Sequence, residues 1–165
     1  MIPLVLILGT LGFRILGALG VRRFRSWPVA AAHALAVMLV LTASAHFVPA
    51  SVTVMPNHAD MVRMVPPFLP YAGALVYLTG VLELLGAVGL LIASTRKAAG
   101  YALAALFVGL LPANIHAAVA DVPFAGGEAT PLWQRIPEQI LYLAVALWVA
   151  RSSRATAPVR EEVYA

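Results

Sequence analysis

Five apolar stretches, each close to the length that crosses a bilayer, constrain this chain more than any motif does. They run over Ile2–Val21, Pro28–Val48, Tyr71–Ile92, Ala98–Val119 and Leu132–Ala150. A membrane-crossing helix needs about 20 mostly apolar residues. Each run also ends at a break. Arg22, Arg23 and Arg25 follow the first, Pro49 closes the second, and Pro66, Pro67 and Pro70 precede the third. Arg96 and Lys97 separate the third from the fourth, and Pro123, Gly126, Gly127 and Pro131 fill the stretch before the fifth. Runs of this length predict helices, since barrel strands would alternate over about ten residues.

Composition agrees. Of 165 residues, 62% are hydrophobic and 11% charged, whereas a soluble domain carries about 25% charged residues. A soluble chain of this size could not clothe its surface with so few polar side chains. The expectation is an all-α transmembrane bundle, with residues 151–165 as a polar cytoplasmic tail. The first run has no basic segment before it, as a cleaved signal peptide would, so a retained helix is expected. With no cysteine, disulfides, thiolate metal sites and dithiol chemistry are excluded. The net charge of +4 would suggest nucleic acid in a soluble protein. Here the basic residues flank apolar runs, which points to the lipid bilayer as partner and not to nucleic acid.

Those residues also predict orientation. With five spans, Arg22, Arg23, Arg25, Arg96, Lys97, Arg151, Arg154 and Arg160 share one side, and only Arg63 and Arg135 the other. Basic residues favour the cytoplasm, so the N-terminus is expected outside and the C-terminus inside. In the long outer segment, Met61, Val62, Met64 and Val65 fall on one helical side and Asn57, Asp60 and Arg63 on another. That pattern fits a short helix lying in the interface.

Polar residues at membrane depth are costly and need a partner or a purpose. Glu83 lies twelve residues past Tyr71, about 18 Å along a helix and hence near the midplane. Thr79 is one turn earlier on the same face, and Gly80, Gly86 and Gly89 suit that helix to close packing. Asn114 and His116 follow Pro112, whose missing N–H frees a carbonyl. Arg135 and Gln139 are one turn apart at the start of the fifth run, and His46 ends the second. Depth arithmetic puts His46, Asn114, His116, Arg135 and Gln139 in the outer half with Glu83 beneath them.

Three readings fit this polar level: hydrogen-bonded glue between helices, a pocket for a small ligand, quinone headgroup or proton, and a haem flanked by His46 and His116. No metal site and no resident cofactor is expected from motifs. His33 and His58 read as interface or snorkelling residues, and Arg14 as helix-pairing or snorkelling. Arg63 before Pro66 and Arg135 before Pro137, each after an outward span, hint at a two-plus-two repeat.

Several segments together carry a family resemblance. They are Ala45-His46-Phe47, Met64-Val65-Pro66-Pro67-Phe68-Leu69-Pro70, Val76-Tyr77-Leu78-Thr79-Gly80-Val81-Leu82-Glu83-Leu84-Leu85-Gly86-Ala87, Leu111-Pro112-Ala113-Asn114-Ile115 and Leu132-Trp133-Gln134-Arg135-Ile136-Pro137-Glu138-Gln139. Across residues 28–150 the chain resembles the DoxX-like family of small bacterial membrane proteins. The resemblance implies a four-helix core in a bacterial inner membrane, with Ile2–Val21 as an extra N-terminal helix. It also implies an accessory or structural role beside membrane oxidoreductase subunits in a quinone-linked assembly. It marks His46, Glu83, Asn114, Arg135 and Gln139. A binding or transport role in which Glu83 exchanges a proton is the alternative. Catalysis on a lipid-soluble substrate is the reading with least support, since no nucleophile–base set is visible.

Overall fold

The computed structural model describes residues 2–124 and 127–153. Six α-helices account for most of them: α1 (Ile2–Ala18), α2 (Trp27–Ser44), α3 (His58–Met64), α4 (Ala72–Leu91), α5 (Arg96–Val119) and α6 (Leu132–Ser152). A short 3-10 turn, Arg22–Phe24, joins α1 to α2. No strand forms among the described residues. The polar tail beyond residue 153 lies outside them.

Among the described residues, three helices are long and apolar enough to cross a membrane: α2, α4 and α5. α1 is apolar but has 17 residues, and the first two turns of α6 carry Gln134, Arg135, Glu138 and Gln139. The helices α2, α4 and α5, the shorter α1 and the more polar α6 pack into one bundle. α2 lies against α1, α4 and α6, and α5 against α4 and α6.

Small residues explain why α2 sits at the centre. Ala30, Ala31, Ala32, Ala34 and Ala36 are all buried, and side chains this small let helix backbones approach closely. Leu35, Met38 and Leu39 on the same helix join Leu90, Leu103, Phe107 and Val149 in the apolar core. Glycines make the same kind of contact from the partner helices. A Cβ on Gly100 would lie 2.9 Å from the Ala146 carbonyl oxygen, so α5 and α6 touch backbone to backbone there.

The helix ends are closed by polar side chains. The last carbonyls of a helix lack intrahelical donors. At α4, Arg96 Nε donates to the Leu90 carbonyl at 2.7 Å and Arg23 Nη2 to that of Leu91 at 2.8 Å. Arg23 Nε also donates to His33 Nε2 at 2.8 Å, while His33 Nδ1 donates to the Val29 carbonyl at 2.7 Å. His33 is therefore buried and clamped, which corrects the expectation of an interfacial or snorkelling histidine. Arg14 turns its guanidinium to the Phe24 carbonyl at 2.9 Å and over the Trp27 ring, pairing α1 with the following turn.

The segment between α2 and α4 also departs from expectation. Asn57 and Asp60 do not form an outward polar side. Both are buried, and they exchange hydrogen bonds as a capping box at the start of α3. Asn57 Oδ1 accepts from the Asp60 N–H, Asp60 accepts from the Asn57 N–H, and Asn57 Nδ2 donates to the Val52 carbonyl at 3.0 Å. With its first turn satisfied internally, α3 can fold down, and Met64 packs on Ala117 and Val122. Arg63 stays exposed and pairs with Asp60, whereas Arg135 is buried in α6. The two arginines of the suggested repeat therefore hold unlike positions.

Candidate functional site

Glu83 lies in the middle of α4 with 6% of its surface exposed. Its carboxyl meets two groups from the end of α2. Thr42 Oγ1 donates to Glu83 Oε2 at 3.1 Å, and His46 Nε2 lies 3.6 Å from Glu83 Oε1. Thr42 and His46 are four residues apart, so one helical turn presents both to the same acid.

The close approach depends on Gly80. A Cβ at that position would lie 2.6 Å from His46 Cβ and 2.9 Å from His46 Cγ, inside any real carbon contact. Glycine therefore lets the imidazole lie against the α4 backbone, one turn from Glu83.

The tautomer of His46 follows from its other bond. His46 Nδ1 lies 2.7 Å from the Val76 carbonyl oxygen, which can only accept, so Nδ1 carries a proton. Thr79 Oγ1 is 3.3 Å from the same nitrogen and donates to Val76 O at 3.0 Å. In a neutral imidazole with Nδ1 protonated, Nε2 presents a lone pair. At 3.6 Å the two atoms are too far apart for a hydrogen bond, and an ionised carboxylate facing that lone pair is repulsive, so a neutral pair is favoured. The pair is then either carboxylic acid with imidazole or carboxylate with imidazolium. Both arrangements are neutral overall, which is how such groups are tolerated away from water.

α3 is tied to this centre. His58 Nδ1 donates to the His46 carbonyl at 2.9 Å, and the His58 ring stacks on Tyr77 at 4.1 Å between centroids. The expected interfacial or snorkelling His58 is thus an anchor between α3 and the end of α2.

A second polar group forms where α5 meets α6. Arg135 is buried at 7% exposure, and its guanidinium is fixed from two sides. Nε donates to the Thr130 carbonyl at 3.1 Å and Nη1 to Asn114 Oδ1 at 3.2 Å. Asn114 is oriented in turn by its own Nδ2, which donates to the Leu110 carbonyl at 3.1 Å. Beside them, Gln134 Nε2 donates to Glu138 Oε1 at 3.0 Å.

Both groups open on one cavity of about 570 Å³, within the range of small-molecule sites. Its lining includes Thr42, His46, Thr79, Glu83, Asn114, Arg135, Gln139 and Tyr142. The rest is largely apolar, with Met38, Leu39 and Phe107 from the core and Met61, Met64 and Pro66 from α3 and the segment after it. Six of the seven residues singled out from sequence thus share one wall system: His46, Thr79, Glu83, Asn114, Arg135 and Gln139. The seventh, His116, is half-buried on α5 and is not part of that lining. It is two residues past Asn114, about 200° around a helix, so the two face opposite ways.

Sequence reading missed Thr42, Tyr142, and the Gln134–Glu138 pair. Thr42 had a usable signal in its four-residue spacing from His46. Tyr142 is seven residues past Arg135, on the same stripe of α6.

Comparison with known proteins gives one match. A family model described as "Domain of unknown function (DUF8561)" matches residues 35–150, a range that holds every polar residue of the cavity and excludes α1. No curated protein and no solved structure matches the chain.

Proposed function

The chain belongs to the DUF8561 family of domains of unknown function, and on that footing we propose that it is a membrane bundle that receives a small lipid-soluble ligand against the Glu83–His46 pair. The observation that carries the reading is a cavity with mostly apolar walls and a tautomer-fixed acid–imidazole pair at its polar end. Apolar walls accept a lipid-soluble body, while a pair holding one mobile proton suits a polar head that takes up or releases a proton.

The finer architecture belongs to the same proposal. α2, α4, α5 and α6 are the four helices of a DoxX-like core, supported by the contacts that run from α2 to α4, α5, α6 and back to α2. α1 is the extra N-terminal helix against α2. All five cross a bacterial inner membrane, N-terminus outside and C-terminus cytoplasmic, as the basic residues direct. The resemblance supplies the setting, an accessory subunit of a quinone-linked redox assembly, and with it a quinone-type head as the first ligand class to try.

The test is a titration of a short-tailed quinone into the full chain in nanodiscs. Saturable binding is expected, weakened about tenfold or more in Glu83→Gln, a loss in the range of a buried charge-assisted hydrogen bond. Equal binding by both proteins, with the variant folded by circular dichroism, overturns the reading. The accessory role is tested separately by purification from native membranes in mild detergent, where an oxidoreductase partner is expected and a chain that runs alone contradicts it.

A further inference from the structure

The α6 side of the cavity carries polar atoms that the proposed reading does not use. Arg135, Gln139 and Tyr142 stand at positions i, i+4 and i+7 of α6, one stripe of a helix, and all three line the cavity. Arg135 Nη2, Gln139 Oε1 and the Tyr142 hydroxyl are buried with no hydrogen-bond partner among the described residues. Buried polar groups are normally satisfied, and three on one stripe describe a surface built to meet something else.

Their chemistry is complementary to a single kind of head. The two bonds to Thr130 and Asn114 hold the guanidinium in place and leave Nη2 as a free donor. One turn on, Gln139 offers a free acceptor. A ligand that serves both presents an acceptor oxygen beside a donor hydrogen. Gln139 Oε1, an acceptor, and the Glu138 carboxylate, which also lines the cavity and is held by Gln134, oppose the pull of the Arg135 cation toward an ionised head.

We infer that this stripe is a head-group subsite for a lipid-derived carboxyl in its neutral form or a primary carboxamide. The carbonyl accepts from Arg135 Nη2, with the Tyr142 hydroxyl beside it. The O–H or N–H donates to Gln139 Oε1. The hydrocarbon tail lies along Met38, Leu39 and Phe107. The inference rests on the cavity being a ligand site and adds what its second polar wall selects.

The experiment is competition binding on the full chain in nanodiscs, with radiolabelled dodecanamide as probe. Dodecanamide, dodecanoic acid and methyl dodecanoate share a tail and a carbonyl, but the ester has no donor hydrogen. Amide or acid is expected to compete about tenfold or more better than the ester, the scale set by one unmet buried acceptor. The better of the two identifies the head. In Gln139→Leu the ester should compete as well as the amide. An ester equal to amide and acid in the native chain overturns the inference, and so does a gap unchanged in a folded Gln139→Leu. If that variant does not fold, the comparison in the native chain decides alone. A short-tailed quinone that binds while the three dodecyl compounds are not distinguished refutes this subsite only. If neither the quinone nor any dodecyl compound saturates the protein, the ligand-site reading fails with it.

Discussion

Replacing Gly80 by alanine tests the packing that brings α2 to the acid. The added Cβ would lie 2.6 Å from His46 Cβ, 2.9 Å from Cγ and 3.1 Å from a Phe47 ring carbon. To regain an ordinary contact of 3.4 Å or more, the helices have to part by about 0.8 Å, and the atoms in the way lie close to the backbone. Overpacking of this kind costs about 1–3 kcal/mol. The same movement stretches the His46–Glu83 separation beyond its present 3.6 Å, so packing and polar contact are lost together. Thermal unfolding in detergent is the assay, with Gly12→Ala as reference because nothing lies within 4 Å of a Cβ there. Alanine at position 12 should be neutral or stabilise by up to about 1 kcal/mol, as in an open helix site. Gly80→Ala should instead lower the unfolding temperature by several degrees. Equal or higher stability of Gly80→Ala relative to Gly12→Ala would refute the claim that this glycine sets the α2–α4 approach.

Other outcomes follow from the same geometry. Asn114→Leu removes the acceptor of Arg135 Nη1 and leaves a buried cationic donor unmet, so unfolding measurements should show a loss of about 1–3 kcal/mol. Arg23→Ala frees His33 Nε2 and leaves the Leu91 carbonyl only the longer bond from Arg96 Nη2 at 3.3 Å, and about 1 kcal/mol should be lost by the same assay, with less effect from Arg22→Ala. The absence of cysteine makes topology directly readable. Val54→Cys, in an exposed loop before α3, should react with a membrane-impermeant maleimide added to intact cells, and Ser94→Cys, between α4 and α5, only after permeabilisation.

The helices were readable because apolar runs of bilayer length, cut by arginine and proline, leave few alternatives. The structure places helices at Ile2–Ala18, Trp27–Ser44, Ala72–Leu91, Arg96–Val119 and Leu132–Ser152, within a few residues of the five apolar stretches. Position along each helix was readable too, since rise per residue is fixed, and six of the seven residues it grouped line one cavity. Direction around the helix axis carries the rest. Depth groups His116 with Asn114 although a two-residue step turns it away, and leaves out Thr42, which a four-residue step aligns with His46. What sequence could not supply was contact between distant segments. Nothing local says that Arg23 reaches His33 and Leu91, that Asn57 and Asp60 are buried, or that Met61 and Met64 line the cavity. Those follow from helix packing, which sets partners by shape more than by composition.

The central claim, that a lipid-soluble ligand enters between α2, α4, α5 and α6, is tested most directly by mapping its position. A photoactivatable short-tailed quinone, cross-linked to the full chain in nanodiscs and located by peptide mass spectrometry, should label Met61, Met64 or Phe107 on the cavity wall, and excess unlabelled quinone should suppress the labelling. Adducts confined to the outward-facing Leu8, Leu85 and Val88, unaffected by competitor, would contradict the account.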